Sequence, residues 1–257
     1  MTDVLEISRP RQKVSDVRAS ENKPPRIVIV GGGFAGLAAA QALRRCDAEI
    51  VLIDRRNHHI FQPLLYQVAT AGLAPSSIAA PIRQLAEKQK NLSVMMAEVT
   101  GVDLNSRALD TLCPVVGARK ITFDYLVIAT GMRPSYFGHD EFAKHAPGLK
   151  TLGDAEAIRT KILSAYEAAE LTHDADQRAR QMTFVLVGGG PTGVELAGSM
   201  AEMASVTLRS NFRRIDPAKT SILLIDDGNR ILPSYTESLS KKAARRLEKR
   251  GVAASLS

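Results

Sequence analysis

The chain has 257 residues, of which 45% are hydrophobic, and a formal net charge of +7 at pH 7. This length suits one large domain or two small domains with a real core. No run of 18 apolar residues is present, which excludes a membrane-spanning helix, and no nucleic-acid-binding motif accompanies the basic charge, so no nucleic-acid partner is expected.

The N-terminal 22 residues are polar and lack the apolar core of a signal peptide, so a disordered tail is predicted over residues 1–22. An apolar strand then begins near Pro25 and leads into the glycine-rich run Gly31-Gly32-Gly33-Phe34-Ala35-Gly36 and a helix rich in Ala and Leu. The next strand, 49–53, ends at Asp54, 18 residues beyond Gly36. This strand, glycine fingerprint, helix and acid together predict a dinucleotide-binding unit.

The same arrangement recurs 157 residues later along the chain. Strand 184–187 precedes Gly188-Gly189-Gly190-Pro191-Thr192-Gly193, and strand 221–225 ends at Asp226. A single glycine-rich turn is often only structural, but two complete copies favour a duplicated domain. The sequence therefore predicts an α/β fold of two Rossmann-like dinucleotide-binding domains, with parallel sheets flanked by helices.

Each fingerprint residue type has a physical role. The first glycine permits a tight turn, the second lets the backbone approach a pyrophosphate, and the third lets helix and strand pack closely. The helix N-terminus offers N–H groups and a positive dipole end to the phosphates. Asp54 and Asp226 can each accept hydrogen bonds from a ribose diol, and Asp226 would repel a 2′-phosphate, which favours NAD over NADP.

The elements between and after the fingerprints follow from periodicity. A helix is predicted over Pro75–Lys88, a strand over Ser93–Val102, and a further strand within Lys120–Ala129 that runs into Thr130 and Gly131. Another helix is predicted over Ala155–Leu171, with Asp154 as its N-cap. A basic helix follows near the end of the chain, with Leu239, Ala243 and Leu247 on one face. Its basic residues are predicted to form a solvated face. Attraction to an anionic membrane or a dianionic cofactor is the alternative.

The two cysteines, Cys46 and Cys113, form no C-x-x-C pair. This argues against a redox dithiol, and neither they nor His58 and His59 belong to a set of metal-ligating residues, so no metal is expected. The two cysteines are interpreted as reduced thiols of a cytoplasmic protein.

Several longer stretches resemble type II NADH dehydrogenase, the non-proton-pumping NADH:quinone oxidoreductase of the two-dinucleotide-binding flavoprotein superfamily. The stretches are His-x-Phe-x-Pro-Leu-Leu-Tyr-Gln-Val-Ala (59–69), Gly72-Leu73, Ile-Ala-Ala-Pro-Ile-Arg (78–83), Gly-Gly-Gly-Pro-Thr-Gly-Val-Glu-Leu-Ala (188–197), Phe-Arg-Arg-Ile-Asp-Pro (212–217) and Arg-Ile-Leu-Pro (230–233). The resemblance covers nearly everything from residue 25 to 250. It implies hydride transfer from NADH to FAD and transfer of two electrons to a membrane quinone.

The resemblance assigns an FAD-binding domain to 23–150 and an NADH-binding domain to 151–257. FAD is expected at Gly31, Gly33, Phe34, Ala35, Gly36, Asp54, Pro63, Val99, Ala129, Thr130 and Gly131. NADH is expected at Gly188, Gly190, Pro191, Thr192, Gly193 and Asp226. Glu195 is the candidate catalytic residue, which positions the nicotinamide or relays a proton. From the residues alone, a simple acid in the first helical turn was the more natural interpretation of Glu195.

The family pattern continues beyond the last residue, Ser257, so a C-terminally truncated chain with both domains incomplete is expected. The later part carries a Gly-Asp motif near the flavin phosphates, a quinone-site stretch and membrane-attaching helices. Peripheral association with the cytoplasmic face of the inner membrane is therefore expected only at full length, and a homodimer is possible. The alternatives are a ferredoxin-reductase-like NAD(P)H-dependent flavin reductase and a non-catalytic nucleotide-binding remnant.

Overall fold

The computed structural model describes residues 23–256, so the tail predicted over residues 1–22 lies outside the described residues. The chain divides into two compact units. Of the described residues, the first unit contains 23–59 together with Ala80–Met132, and the second contains Ile60–Ala79 and 133–256. The FAD-binding and NADH-binding domains expected over 23–150 and 151–257 are defined by function, and their bounds remain a prediction.

The helices and strands alternate along most of the chain. In order they are β1 (Arg26–Val30), α1 (Phe34–Ala42), β2 (Glu49–Asp54), β3 (His58–Ile60), α2 (Leu65–Ala69), β4 (Ala79–Pro81), α3 (Ile82–Ala86), β5 (Leu92–Met96), β6 (Glu98–Asp103), β7 (Ala108–Cys113), β8 (Gly117–Thr122), β9 (Tyr125–Ile128), α4 (Leu152–Leu171), α5 (Ala175–Gln181), β10 (Thr183–Val187), α6 (Pro191–Glu202), β11 (Ser221–Asp226), α7 (Glu237–Lys249) and β12 (Val252–Leu256). Short 3₁₀ turns cover Gln62–Leu64, Pro75–Ser77, Asp140–Lys144 and Pro217–Lys219, and a π-helical turn, Met203–Thr207, extends α6.

The first unit is built on a parallel four-stranded sheet in the order β5-β2-β1-β9. Because successive side chains of a strand point to opposite faces, both faces of this apolar sheet need a cover. One face, with Ile29, Ile50 and Leu52, packs on α1 and α3 in one cluster. The other face, with Val28 and Val30, packs against the antiparallel sheet β6-β7-β8.

The second unit contains the parallel sheet β10-β11-β12. Its buried cluster includes Ile222 and Leu224 of β11 together with side chains of α4, α6 and α7. The α/β fold class is thereby confirmed, and each fingerprint lies between a parallel strand and a helix. The opposite face of β10 differs from that of β1, because Val185 and Val187 are 53% and 69% exposed.

The helix predicted over Pro75–Lys88 is wrong. Its place is taken by a 3₁₀ turn, the short strand β4 and the five-residue α3. Pro81 is the physical reason, because it lacks an N–H donor and disfavours helical geometry at the residue before it. The helix begins directly after this proline, at Ile82.

The strand predicted over Ser93–Val102 is two strands. β5 pairs with β2 in the parallel sheet, whereas β6 pairs with β7 in the antiparallel sheet. The chain changes sheets at the buried Ala97, whose N–H donates to the Asp54 carbonyl oxygen at 2.9 Å. Val99 and Val102 of β6 continue the apolar residues of β5, so periodicity alone could not locate the change.

The cap predicted for the long helix α4 is also misplaced. Thr151 is the N-cap, and its side chain accepts a hydrogen bond from the Asp154 N–H at 3.1 Å. Asp154 occupies the third helical position and accepts from the Thr151 N–H at 2.7 Å. The two residues form a reciprocal capping box, so the helix starts three residues before Ala155.

The basic helix α7 forms as predicted, with one difference in its buried face. Leu247 is buried but Leu239 is 50% exposed. Ser240 is buried instead, and its hydroxyl donates to the Ile231 carbonyl oxygen at 2.6 Å. No helix within residues 23–256 is long and apolar enough to cross a membrane.

Candidate dinucleotide-binding sites

The first glycine loop joins β1 to α1 with the geometry that its sequence predicts. Gly31 has φ +111° and its N–H donates to the Ile53 carbonyl oxygen at 2.7 Å. A side chain there would meet the backbone of Ala129, so only glycine fits. At the third position, a Cβ on Gly36 would collide with the carbonyl oxygen of Gly31.

The second loop repeats this geometry between β10 and α6. Gly188 has φ +107° and donates to the Ile225 carbonyl oxygen at 2.8 Å. A Cβ on Gly193 would collide with the carbonyl oxygen of Gly188. The two fingerprints therefore adopt the same local fold in both units.

The approach to each helix start is open. An added Cβ at Gly33 or at Gly190 would meet no atom within 4 Å. These glycines are the N-caps of α1 and α6, and neither helix has a side-chain cap on its first turn. Phe34, Ala35, Pro191 and Thr192 lie in these first turns. An N-terminus of this kind presents backbone N–H groups to an anion, so both loops fit a pyrophosphate.

The predicted ribose acids lie at the ends of their strands, beside the loops. Asp54 Oδ2 accepts from the Gly32 N–H at 2.7 Å and Oδ1 from the Arg56 N–H at 2.7 Å. Asp226 Oδ2 accepts from the Gly189 N–H at 2.5 Å and Oδ1 from the Gly228 N–H at 2.8 Å. Each carboxylate oxygen keeps a further lone pair, which a ribose hydroxyl can use.

The middle glycines, Gly32 and Gly189, were missed as site residues. A Cβ on Gly32 would come within 2.5 Å of Ile82 Cδ1, and one on Gly189 within 3.2 Å of Ile231 Cγ2. In each unit an isoleucine thus packs over the loop at the position that the G-x-G-x-x-G pattern leaves unspecified. The available signal was that both copies carry glycine at this position.

Three further FAD candidates lie against the first loop. The Ala129 N–H donates to the Val30 carbonyl oxygen at 2.8 Å, which carries the chain from β9 past Gly31. Thr130 follows, and its backbone nitrogen is 3.2 Å from the Cβ position of Gly31. Gly131 then adopts φ +71°. The structure therefore brings the Ala-Thr-Gly segment and the first fingerprint together.

The other two FAD candidates, Val99 and Pro63, lie in other elements. Val99 lies in β6, opposite Thr111, and packs against the cluster under the first sheet. Pro63 lies in the 3₁₀ turn before α2, which belongs to the second unit. Their contact with a flavin stays a prediction.

Glu195 is not in the first turn of its helix. α6 begins at Pro191, so Glu195 is its fifth residue, and the first turn contains no acid. A stabilising interaction with the end of the helix dipole therefore does not explain this carboxylate, since that effect falls off within the first turn. Although Glu195 is an exposed residue, desolvation of its carboxyl group raises the pKa above its ordinary value.

A cleft of about 580 Å³ in the second unit contains this carboxylate. Its lining comprises Tyr66, Gln67, Gly72, Val194, Glu195, Gly198, Ser199, Glu202, Arg246 and Arg250. Arg250 Nη1 is 3.0 Å from Glu202 Oε2, so this second acid is paired. A carboxyl group with a raised pKa in a cleft is a candidate for proton transfer.

Hydrogen bonds of Thr70 join two residues that line the cleft, Tyr66 and Ser199. The Thr70 hydroxyl lies 2.7 Å from the Ser199 hydroxyl of α6 and donates to the Tyr66 carbonyl oxygen of α2 at 2.9 Å. Thr70 is only 3% exposed. Within residues 23–256, no group of three or more His, Cys, Asp or Glu side chains is placed to hold a metal ion.

Known proteins resemble this chain over most of its length. The type II NADH:quinone oxidoreductase Ndh of Mycobacterium tuberculosis is 46% identical over 90% of the chain. A probable NADH dehydrogenase of Dictyostelium discoideum is 30% identical over 91% of it. The chain spans about half the length of these relatives, 50% and 51% respectively.

The structure of NDH2 from Plasmodium falciparum in complex with NADH superposes with a TM-score of 0.84 at 26% identity. The match covers 91% of this chain and 48% of that one. The sequence profile of one family matches residues 25–257, which include both glycine loops and both acids. The chain belongs to the pyridine nucleotide-disulphide oxidoreductase family.

Proposed function

We propose that the chain is the nucleotide-binding part of an FAD-dependent NADH:quinone oxidoreductase of the type II, non-proton-pumping class. The observation that carries the proposal is the presence of two complete loops, one per unit, each with an acid hydrogen-bonded to its middle glycine. The names and identities of the relatives support NADH as donor and quinone as acceptor. FAD, when bound, supplies the hydride and electron chemistry.

The first unit is assigned to FAD. The open N-terminus of α1 would bind the pyrophosphate and Asp54 the adenosine ribose. The strand end Ala129-Thr130-Gly131 would approach the cofactor, because it lies against Gly31. Val99 and Pro63 are assigned further contacts with the adenine and the flavin ring.

The second unit is assigned to NADH. Gly190, Pro191 and Thr192 begin α6 and would bind the pyrophosphate, while Asp226 would accept from the ribose diol. An ionised Asp226 would repel a 2′-phosphate, which makes NADH the preferred donor over NADPH.

Glu195 is assigned to the nicotinamide end of this site, where it positions the ring or relays a proton toward the quinone. Two properties support this role. The carboxyl group lines a cleft rather than stabilising the helix start, and desolvation raises its pKa above the ordinary value. Peripheral attachment to the inner membrane and dimerisation are proposed only for a protein of the relatives' length.

The proposal is tested in two steps. The purified chain is incubated with excess FAD, desalted, and examined for flavin absorbance and for NADH binding by calorimetry, with one site expected for each. NADH oxidation is then measured with menadione or with ferredoxin as acceptor. Reduction of ferredoxin but not menadione would instead support a ferredoxin-reductase-like enzyme. Absence of both flavin binding and NADH oxidation would indicate a nucleotide-binding remnant.

A further inference from the structure

In each loop, both the N–H and the carbonyl oxygen of the middle glycine are hydrogen-bonded. Its N–H donates to the acid at the end of the neighbouring strand, Asp54 for Gly32 and Asp226 for Gly189. Its carbonyl oxygen is also engaged in both units, but by different groups. This difference separates two loops that are otherwise alike.

In the second unit, a backbone group binds the carbonyl. The Leu232 N–H donates to the Gly189 oxygen at 2.7 Å, and Leu232 has φ +52° in the bend after β11. Since the donor is a main-chain amide, no substitution other than proline removes it.

In the first unit, a side chain has this role. His59 Nδ1 lies 3.1 Å from the Gly32 oxygen. A carbonyl oxygen can only accept, so Nδ1 must carry the hydrogen in this bond, in the neutral or the charged imidazole. The His59 ring also stands edge-on to the Phe34 ring in α1, with centroids 4.9 Å apart and an interplanar angle of 89°.

We propose that His59 is a positioning residue that holds the first glycine loop in its phosphate-binding conformation, as the Leu232 N–H does for the second. The inference rests on the proposed function, because it takes the first loop to bind FAD. The inference adds that the His59 side chain controls the affinity for FAD through the loop, without contacting the cofactor. The affinity for NADH does not depend on His59.

Two substitutions separate the hydrogen bond from the ring. His59→Phe keeps an aromatic ring beside Phe34 but removes the donor. His59→Asn loses the ring but retains an amide N–H donor near the position of Nδ1. His173→Phe is the matched control, since His173 is exposed in the second unit and outside both loops.

The affinities for FAD and NADH are measured for the wild-type chain and the three variants. His59→Phe should weaken FAD binding about 3- to 10-fold, as expected for the loss of one hydrogen bond that fixes the loop. NADH binding should be unchanged, and His59→Asn should recover most of the FAD affinity. His173→Phe should match the wild-type chain for both ligands.

Hydrogen exchange of the chain without nucleotide gives a second readout. Amides of 31–36 should exchange faster in His59→Phe, whereas those of 188–193 should not change. Unchanged exchange in the first loop, or equal loss of protection in both loops, overturns the inference. An unchanged FAD affinity in His59→Phe overturns it as well. A wild-type chain that binds no FAD refutes the proposed function, and the exchange data then decide the role of His59.

Discussion

The carboxylate of Glu170, near the end of α4, accepts hydrogen bonds from the backbone N–H of Arg214 at 2.9 and 3.1 Å. The same carboxylate accepts from the amides of Arg213 at 3.0 Å and Ile215 at 3.2 Å. A helix side chain thus holds the bend that precedes β11. The stretch at 212–217 therefore supplies three backbone amides to one helix carboxylate.

Replacement of Glu170 by Gln should destabilise the second unit at neutral pH. Desolvation raises the pKa of Glu170, but the three amides outweigh it, so the net pKa lies below the ordinary value of 4.5. A lowered folded-state pKa gives stability that is present above the unfolded-state value and is lost as the pH falls through the folded-state value. Denaturant midpoints of both proteins should therefore differ at pH 7 and converge well below pH 4.5. Glu167→Gln, an exposed change one turn earlier, serves as control.

Substitution of Glu195 should have the opposite effect on stability. Its pKa is raised by desolvation, so the ionised form is disfavoured in the fold, and stability falls as the pH rises from the unfolded-state value through the folded-state value. Glu195→Gln should accordingly be more stable than wild type at pH 7 and equal to it below about pH 4. Thermal melts across this range measure the effect, with Glu248→Gln, which does not line the cleft, as control.

On the proposed function, Glu195→Gln should also slow quinone reduction and remove the corresponding step from its pH profile. FAD content should stay at the wild-type level. An unaltered rate and pH profile would falsify the proposed role of this carboxyl group in nicotinamide positioning or proton transfer.

Removal of the two ribose acids should separate the two nucleotide sites. Asp54→Ala should weaken FAD binding, and Asp226→Ala should weaken NADH binding, each by about 10- to 100-fold as expected for lost hydrogen bonds to a charged group. Asp226→Ala should also reduce the preference for NADH over NADPH. Each variant serves as the other's control in calorimetric titrations, and a loss of both affinities in either variant would contradict the assignment.

Alanine at the third glycine should be more damaging than at a glycine elsewhere in the same helix. A Cβ on Gly193 meets the Gly188 carbonyl oxygen, so Gly193→Ala should cost about 1–3 kcal/mol and abolish NADH binding. Gly198→Ala places its Cβ 3.7 Å from Leu247 Cδ2, an ordinary contact, and should stabilise α6 by about 1 kcal/mol. Urea denaturation compares the two variants, and equal stability would count against the close approach at Gly193.

Sequence patterns correctly predicted the parts of the fold in which only one kind of local structure fits the residues. Gly31 and Gly188 have the positive φ that their turns require, and Asp54 and Asp226 end buried strands. Two of the wrong predictions involved competing local signals. Pro81 interrupts an apolar pattern of helical spacing, and Thr151 precedes an equally suitable capping acid.

The candidate site was predictable to a similar extent. The glycines and acids follow from a pattern with a defined spacing, so they could be named from the sequence. The contact between His59 and Gly32 could not, because it joins residues 27 apart through a side chain. The second unit makes the same bond with a backbone amide, so no residue type marks it there.

The hydrogen bonds to both the N–H and the carbonyl oxygen of Gly32 and Gly189 also have a thermodynamic consequence. Both loops have their backbone geometry fixed by the protein itself, so the conformational entropy of these segments is lost during folding and not when a nucleotide arrives. An incoming pyrophosphate meets donors that are already oriented. Affinity at both sites should then depend on the contacts made with the ligand, with little offset from ordering of the loops.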